Sequence, residues 1–148
     1  QAKHVLVVAD SCYSGAMTRA AVPTFSSAMP DKAWGQWVKA MSQSRSRTAL
    51  TSGGLAPVPD TGRGNNSHFA LALIAALDDN AQLLEGQRLF REVSSSLALA
   101  AAESSLVQFP EYAPIQFAGH EAGEFFFQPK ASGVALAGGV AGAAQAAP

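Results

Sequence analysis

The sequence has a single cysteine, Cys12, so no disulfide can form within the chain and the fold does not depend on an oxidising compartment. Charge is scarce and balanced, with 10 Lys and Arg against 11 Asp and Glu for a net charge of −1. With no basic excess and no interleaving of basic and aromatic residues, the chain does not read as a nucleic-acid binder. It has no internal repeat and no signal peptide, and it begins at Gln1 directly before a strand, which reads as the later part of something longer. What is present is 48% hydrophobic over 148 residues, enough for one core of ordinary size.

The chemistry is expected in the stretch from Lys3 to Gly15, KHVLVVADSCYSG, which delivers that one cysteine at the end of an apolar run. Val5 to Ala9 has no polar alternation, which predicts a central strand covered on both faces of an α/β sheet. Asp10, Ser11, Ser14 and Gly15 break the pattern, placing Cys12 at the carboxyl end of that strand, where ligands and reacting groups gather in such sheets. A following helix N-terminus or a nearby imidazole there lowers a thiol pKa and raises the thiolate fraction. Isolated cysteines are usually small buried hydrophobes. Here the neighbours are Asp, Ser, Tyr and Ser, which favours a functional thiol.

Counting removes two rival chemistries. A tyrosine-phosphatase loop needs an arginine six places after the cysteine, where this chain has Thr18, with Arg19 one place late. A G-x-S-x-G elbow needs glycine on both sides of a serine, and neither Ser11 nor Ser14 has that pair. A nucleotide- or metabolite-binding α/β domain with a structural cysteine stays as an alternative, although no glycine-rich phosphate loop is visible.

Asp10-Ser11-Cys12-Tyr13-Ser14-Gly15 after a hydrophobic strand resembles the nucleophile motif of the caspase-like cysteine peptidases (clan CD, peptidase C14), in the metacaspase and bacterial caspase-homologue branch. The likeness continues in Arg47 to Gly54, in Ser67-His68-Phe69-Ala70, in Tyr112-Ala113-Pro114-Ile115, and in Gly119-His120-Glu121 with Gly123 to Phe127, covering about residues 3 to 129. True caspases have Gln-Ala-Cys where this chain has Asp10-Ser11-Cys12. The resemblance implies the C-terminal part of a three-layer α/β/α sandwich with a mostly parallel central sheet, its N-terminal strands absent from this chain. The implied activity is that of a cysteine endopeptidase with a Cys-His dyad, cutting after Arg or Lys.

In that reading Cys12 is the nucleophile, its N–H helps hold the oxyanion, and Asp10, Ser52 and Asp60 border the pocket for the substrate's basic residue. The family's second acid falls shortly after the Ser-Gly turn, close to Ala56 here, so Asp60 lies four places late. The implied histidine base lies roughly fifty residues before the cysteine, in sequence upstream of Gln1. His4 is not that base, because eight strand residues at about 3.3 Å each put it roughly 26 Å away at the opposite end of the sheet. His68, near a helix start, and His120, in a turn, are not expected to touch the thiolate. The chain alone is therefore expected to be inactive, exposing an unpaired edge at the nucleophile strand and needing its N-terminal portion as partner, with a peptide or protein as substrate. The alternative is a catalytically inactive scaffold of the same fold serving regulated protein association.

Elsewhere Asp31 is expected to cap a helix to about Ser42, with Trp34, Trp37, Val38 and Met41 on one face. Lys39, Arg45 and Arg47 are candidate self-cleavage sites on a solvated connection. Arg47 to Ser52 is the second strand, residues 55 to 66 a long Pro/Gly/Asn loop, and Ser67 the cap of a helix to about Asp79. A further helix is predicted from Leu84 to about Glu103, and the last strand over Glu124 to Gln128, its three phenylalanines buried on both faces. His120, Glu121 and Glu124 lack the oxygen-rich spacing of a calcium loop. Although the family likeness allows calcium dependence, no metal or other cofactor is expected. After Pro129 the chain turns to Ala, Gly and Val, so 1–129 is expected to be the domain and 130–148 a flexible tail or linker, too weak for a membrane span. No membrane association is expected, and a cytoplasmic location is slightly preferred.

Overall fold

The computed structural model describes residues 2–11, 29–53, 66–104 and 108–129. Cys12, Asp60, the 55–65 loop and the tail from 130 lie outside the described residues. The elements in chain order are β1 (His4–Ala9), α1 (Asp31–Gln43), β2 (Ser46–Thr51), α2 (His68–Asp78), β3 (Leu84–Glu85), α3 (Gly86–Ser104), β4 (Glu111–Pro114) and β5 (Phe126–Phe127). The architecture is mixed α/β.

Three strands form one sheet in the order β1-β2-β4. β1 runs parallel to β2, with His4 opposite Ser46 and Ala9 opposite Thr51, and β4 runs antiparallel to β2, with Tyr112 opposite Leu50. Parallel neighbours need a crossover, and α1 supplies it. The centre of the sheet is therefore β2, whose Ser46, Thr48, Ala49, Leu50 and Thr51 are all buried. Among the described residues β1 is paired along one edge only, in line with the unpaired edge expected at the nucleophile strand, whereas Val8, 43% exposed, departs from the expected cover on both faces. Its aliphatic composition shows what the strand is able to bury; the number of its neighbours is fixed by pairing.

The core lies over the Leu50 face. Leu50 and Tyr112 from the sheet meet Phe69 and Ala72 of α2, Leu84 of β3, and Leu89, Val93 and Leu97 of α3. The three α3 residues recur at spacings of four, so they share one helix face, as the sequence pattern predicts. Fully burying a leucine such as Leu50 stabilises the fold by about 1.5–3 kcal/mol. α2 begins where expected: Ser67 is its N-cap, and its Oγ accepts the Ala70 N–H at 2.9 Å. In α1, by contrast, Pro30 occupies the cap and Asp31 is the first helical residue, where its charge still complements the helix dipole. Of the expected α1 face only Val38 is buried, while Trp34 stacks on Trp37 at 5.1 Å and Trp37 meets Phe126 edge-on at 5.7 Å.

The phenylalanine segment departs from expectation. Only Phe126 and Phe127 form a strand, and they pair antiparallel with Leu84–Glu85 as a separate two-stranded ribbon outside the main sheet. All three phenylalanines are half-buried. The predicted helix from Leu84 accordingly starts two residues later, because Leu84 and Glu85 are taken by the ribbon. Gly86 then turns the chain into α3 at a point where a Cβ would collide with the Tyr112 hydroxyl and ring. The proposed self-cleavage positions are also not on an open connection. Lys39 is within α1, Arg47 is within β2, and the α1–β2 junction is two residues long, Ser44 and Arg45.

Candidate functional site

At the carboxyl edge of the parallel pair, β1 ends in Asp10 and β2 ends in Ser52. The ladder continues one step past the strands, the Ser52 N–H donating to the Ala9 carbonyl at 3.0 Å. Asp10 and Ser52 are thus lateral neighbours. Asp10 is exposed, and one carboxylate oxygen, Oδ2, accepts the Ser67 hydroxyl at 2.5 Å. Because Ser67 caps α2, the Asp10 charge sits at the helix N-terminus, where unpaired N–H groups and the dipole favour an anion. Ser52 is fully buried, and among the described residues its Oγ has no hydrogen-bond partner. Beside it the Thr51 hydroxyl donates to the Gly53 carbonyl at 3.3 Å.

Of the expected site residues, the structure brings Asp10 and Ser52 to one edge; Cys12 and Asp60 lie outside the described residues. Ser67 is the addition. Its sequence reading was a helix cap, which uses the hydroxyl only as acceptor. Because Ser67 is buried, its O–H needs an acceptor as well. A buried N-cap serine therefore signals a second partner somewhere, but not which one.

The histidines divide between the two ends of the sheet. His4 opens β1, and its Nε2 is 3.0 Å from the Ser44 carbonyl. His120 Nδ1 accepts the Arg47 N–H at 3.1 Å, near the start of β2. Five residues separate Arg47 from Ser52, about 17 Å of strand, so both are remote from Asp10. His68 alone is at the Asp10 end, as the first residue of α2.

His120 belongs to a loop stitched onto the α1–β2 junction. Glu121 Oε2 accepts the Arg45 N–H at 2.8 Å, and the Glu121 N–H donates back to the Arg45 carbonyl at 3.0 Å. The Arg45 N–H donated to the Glu121 carboxylate holds that carboxyl below its ordinary value, with the Arg45, Lys3 and Arg47 charges assisting. Burial lowers the His120 pKa, the Glu121 charge opposing. Gly123 completes the loop at a point where a Cβ would run into the Ser44 carbonyl. His120 and Glu121, once weighed as ligands, thus spend donor-accepting atoms on backbone N–H groups.

A second polar cluster is interior. The Tyr112 hydroxyl lies within hydrogen-bond reach of Glu124 Oε1 and of Thr48 Oγ1, the latter at 3.3 Å, and Glu124 Oε1 also accepts the Phe125 N–H at 2.8 Å. Burial, and then the Glu124 charge, pushes the Tyr112 hydroxyl far above its usual range. Burial likewise raises the Glu124 carboxyl, although its hydrogen bond from Tyr112 works the other way. Glu85, also buried, is paired with Arg91 at 3.3 Å. This cluster joins the ribbon to the main sheet and is remote in sequence from Asp10. A groove of about 880 Å³ is bordered by Trp34, Trp37, Arg88 and Arg91; neither Asp10 nor Ser52 lines it.

Among the described residues no helix is long and apolar enough to cross a membrane. Comparison of the chain with protein-family models, with curated proteins and with solved structures finds no match.

Proposed function

We propose that the chain is the C-terminal part of a caspase-like cysteine endopeptidase domain that hydrolyses peptide bonds after Arg or Lys. The observation that carries the reading is the position of Asp10, two residues before the only cysteine. It stands exposed at the carboxyl edge of a parallel strand pair, beside Ser52 and at the N-terminus of α2. An acid there suits a basic side chain next to the scissile bond. The finer fold reading, a three-layer sandwich, draws on the parallel β1–β2 pair continued by antiparallel β4 and on one helical layer, α2 and α3, over the Leu50 face.

In this mechanism the Cys12 thiolate adds to the carbonyl carbon and the Cys12 N–H holds the oxyanion. The leaving amine takes a proton from a histidine supplied by sequence upstream, and water then hydrolyses the thioester. His4 and His120 cannot act as the base from the far end of the sheet. The test is labelling of the full-length protein with an arginine-directed acyloxymethyl ketone, together with cleavage of Arg- and Lys-containing peptides. Labelling and cleavage that vanish in Cys12→Ala are the expected result. Failure of the active-length protein to label or cleave refutes the peptidase reading and leaves the inactive scaffold.

A further inference from the structure

We infer that Ser67 is a positioning residue for the recognition of a basic substrate side chain, orienting Asp10 through its hydroxyl. The inference rests on the peptidase reading above and adds to it a residue 57 positions away from Asp10 in sequence.

The Ser67 hydroxyl is held at both ends. It accepts from the Ala70 N–H at 2.9 Å and donates to Asp10 Oδ2 at 2.5 Å, and the residue is buried. A hydroxyl so fixed has one orientation, so the carboxylate it holds has fewer rotamers open to it. The α2 cap is complete once the Ala70 N–H is bound, and it does not itself need Asp10. What the second bond adds is control of an exposed carboxylate, which would otherwise rotate freely in water. Oδ2 is engaged by Ser67, and Oδ1, with no hydrogen bond among the described residues, is open to a guanidinium or ammonium donor.

An alternative account makes the Asp10–Ser67 bond purely structural, and substitutions at Ser67 separate the two. Ser67→Ala removes both the cap and the donor. Ser67→Gly removes the donor while keeping most of the capping preference, and Ser67→Thr keeps both functions. Each is made in the full-length protein, with KM and kcat measured on Arg and Lys peptides beside the melting temperature.

Ser67→Gly is expected to raise KM by about three- to tenfold, the scale of losing one ordinary hydrogen bond, with kcat within about twofold. Ser67→Thr recovers the wild-type KM. A Ser67→Gly protein with unchanged KM overturns the inference, whether or not its melting temperature falls, and so does a Thr variant that fails to recover. If Ser67→Ala does not fold, the Gly and Thr pair still decides. Loss of cleavage in Asp10→Asn alongside an unaffected Ser67→Gly overturns only the role of Ser67. A wild-type protein that cleaves nothing after basic residues overturns the peptidase reading and this inference together.

Discussion

Replacing Tyr112 by Phe removes one oxygen from the interior and leaves everything apolar in place. The ring keeps its stack on Phe90, centroids 6.3 Å apart, and β4 keeps its pairing with β2. What changes is the Glu124 carboxyl, which loses the tyrosine hydroxyl and is left with N–H donors such as that of Phe125. Thr48 loses its partner as well. Leaving a buried polar group short of a partner costs about 1–3 kcal/mol, so a loss of about 2 kcal/mol is expected. For a chain of this length that lowers Tm by about 6–8 °C.

Circular dichroism melts of Tyr112→Phe and Glu124→Gln, recorded across pH, make the assay specific to this pair. The folded Glu124 carboxyl is raised above its ordinary value, chiefly by burial. Its contribution is therefore fully present below the unfolded carboxylate pKa, and it is lost as pH rises through the folded pKa. The wild-type Tm should fall over that interval, and Glu124→Gln, which cannot ionise, should flatten the fall. A Tyr112→Phe protein melting within about 1 °C of wild type, where an intact hydrogen-bond loss predicts several degrees, would refute the reasoning. So would a Gln variant with an unchanged pH slope.

Four further outcomes follow from the same structure. Gly86→Ala should cost about 1–3 kcal/mol, the range for overpacking, because the new methyl meets the Tyr112 ring; a urea titration measures it. Leu50→Ala, at a fully buried central position, should lose about 2–5 kcal/mol in the same titration. His120 is held neutral by burial, with Nδ1 accepting the Arg47 N–H, so its stabilising contribution is present above the ordinary histidine pKa and falls away as pH drops through the lowered folded value. An NMR titration should find that imidazole below its usual midpoint, and a His120→Gln protein should lose stability less steeply on the acid side. Ser52→Ala should leave the protein as stable as wild type or somewhat more stable, since its buried hydroxyl has no partner among the described residues and the substitution removes the cost of burying it; a large loss on denaturation would show that Ser52 Oγ has a partner.

Local signals in the sequence were reliable where one residue type decides the conformation. Ser67 opens α2 because a serine before an apolar run supplies the missing acceptor, and the spacing of Leu89, Val93 and Leu97 declares the buried face of α3 without reference to anything else. β1 is likewise written as an aliphatic, β-branched run. What a run cannot express is how much of it the rest of the chain covers, and Val8 of β1 is 43% exposed where cover on both faces is expected. Three consecutive phenylalanines look like a strand buried on both faces, yet Phe126–Phe127 pair with Leu84–Glu85, about 40 residues away, a long-range partnership that no local pattern records. The candidate site was half legible. Asp10 and Ser52 follow from the ends of their strands, whereas the bond from Ser67 to Asp10 depends on where α2 enters over the sheet, which no spacing records.

The loop carrying His120 and Glu121 also bears on how the gene can be handled. It grips the two-residue passage from α1 into β2 through both backbone directions at Arg45, and Gly123 lies against the Ser44 carbonyl. A single codon added between Gln43 and Ser46 would lengthen that passage and disturb the paired Arg45–Glu121 contacts. Epitope tags, permuted termini and split-protein breakpoints therefore do not belong at that passage.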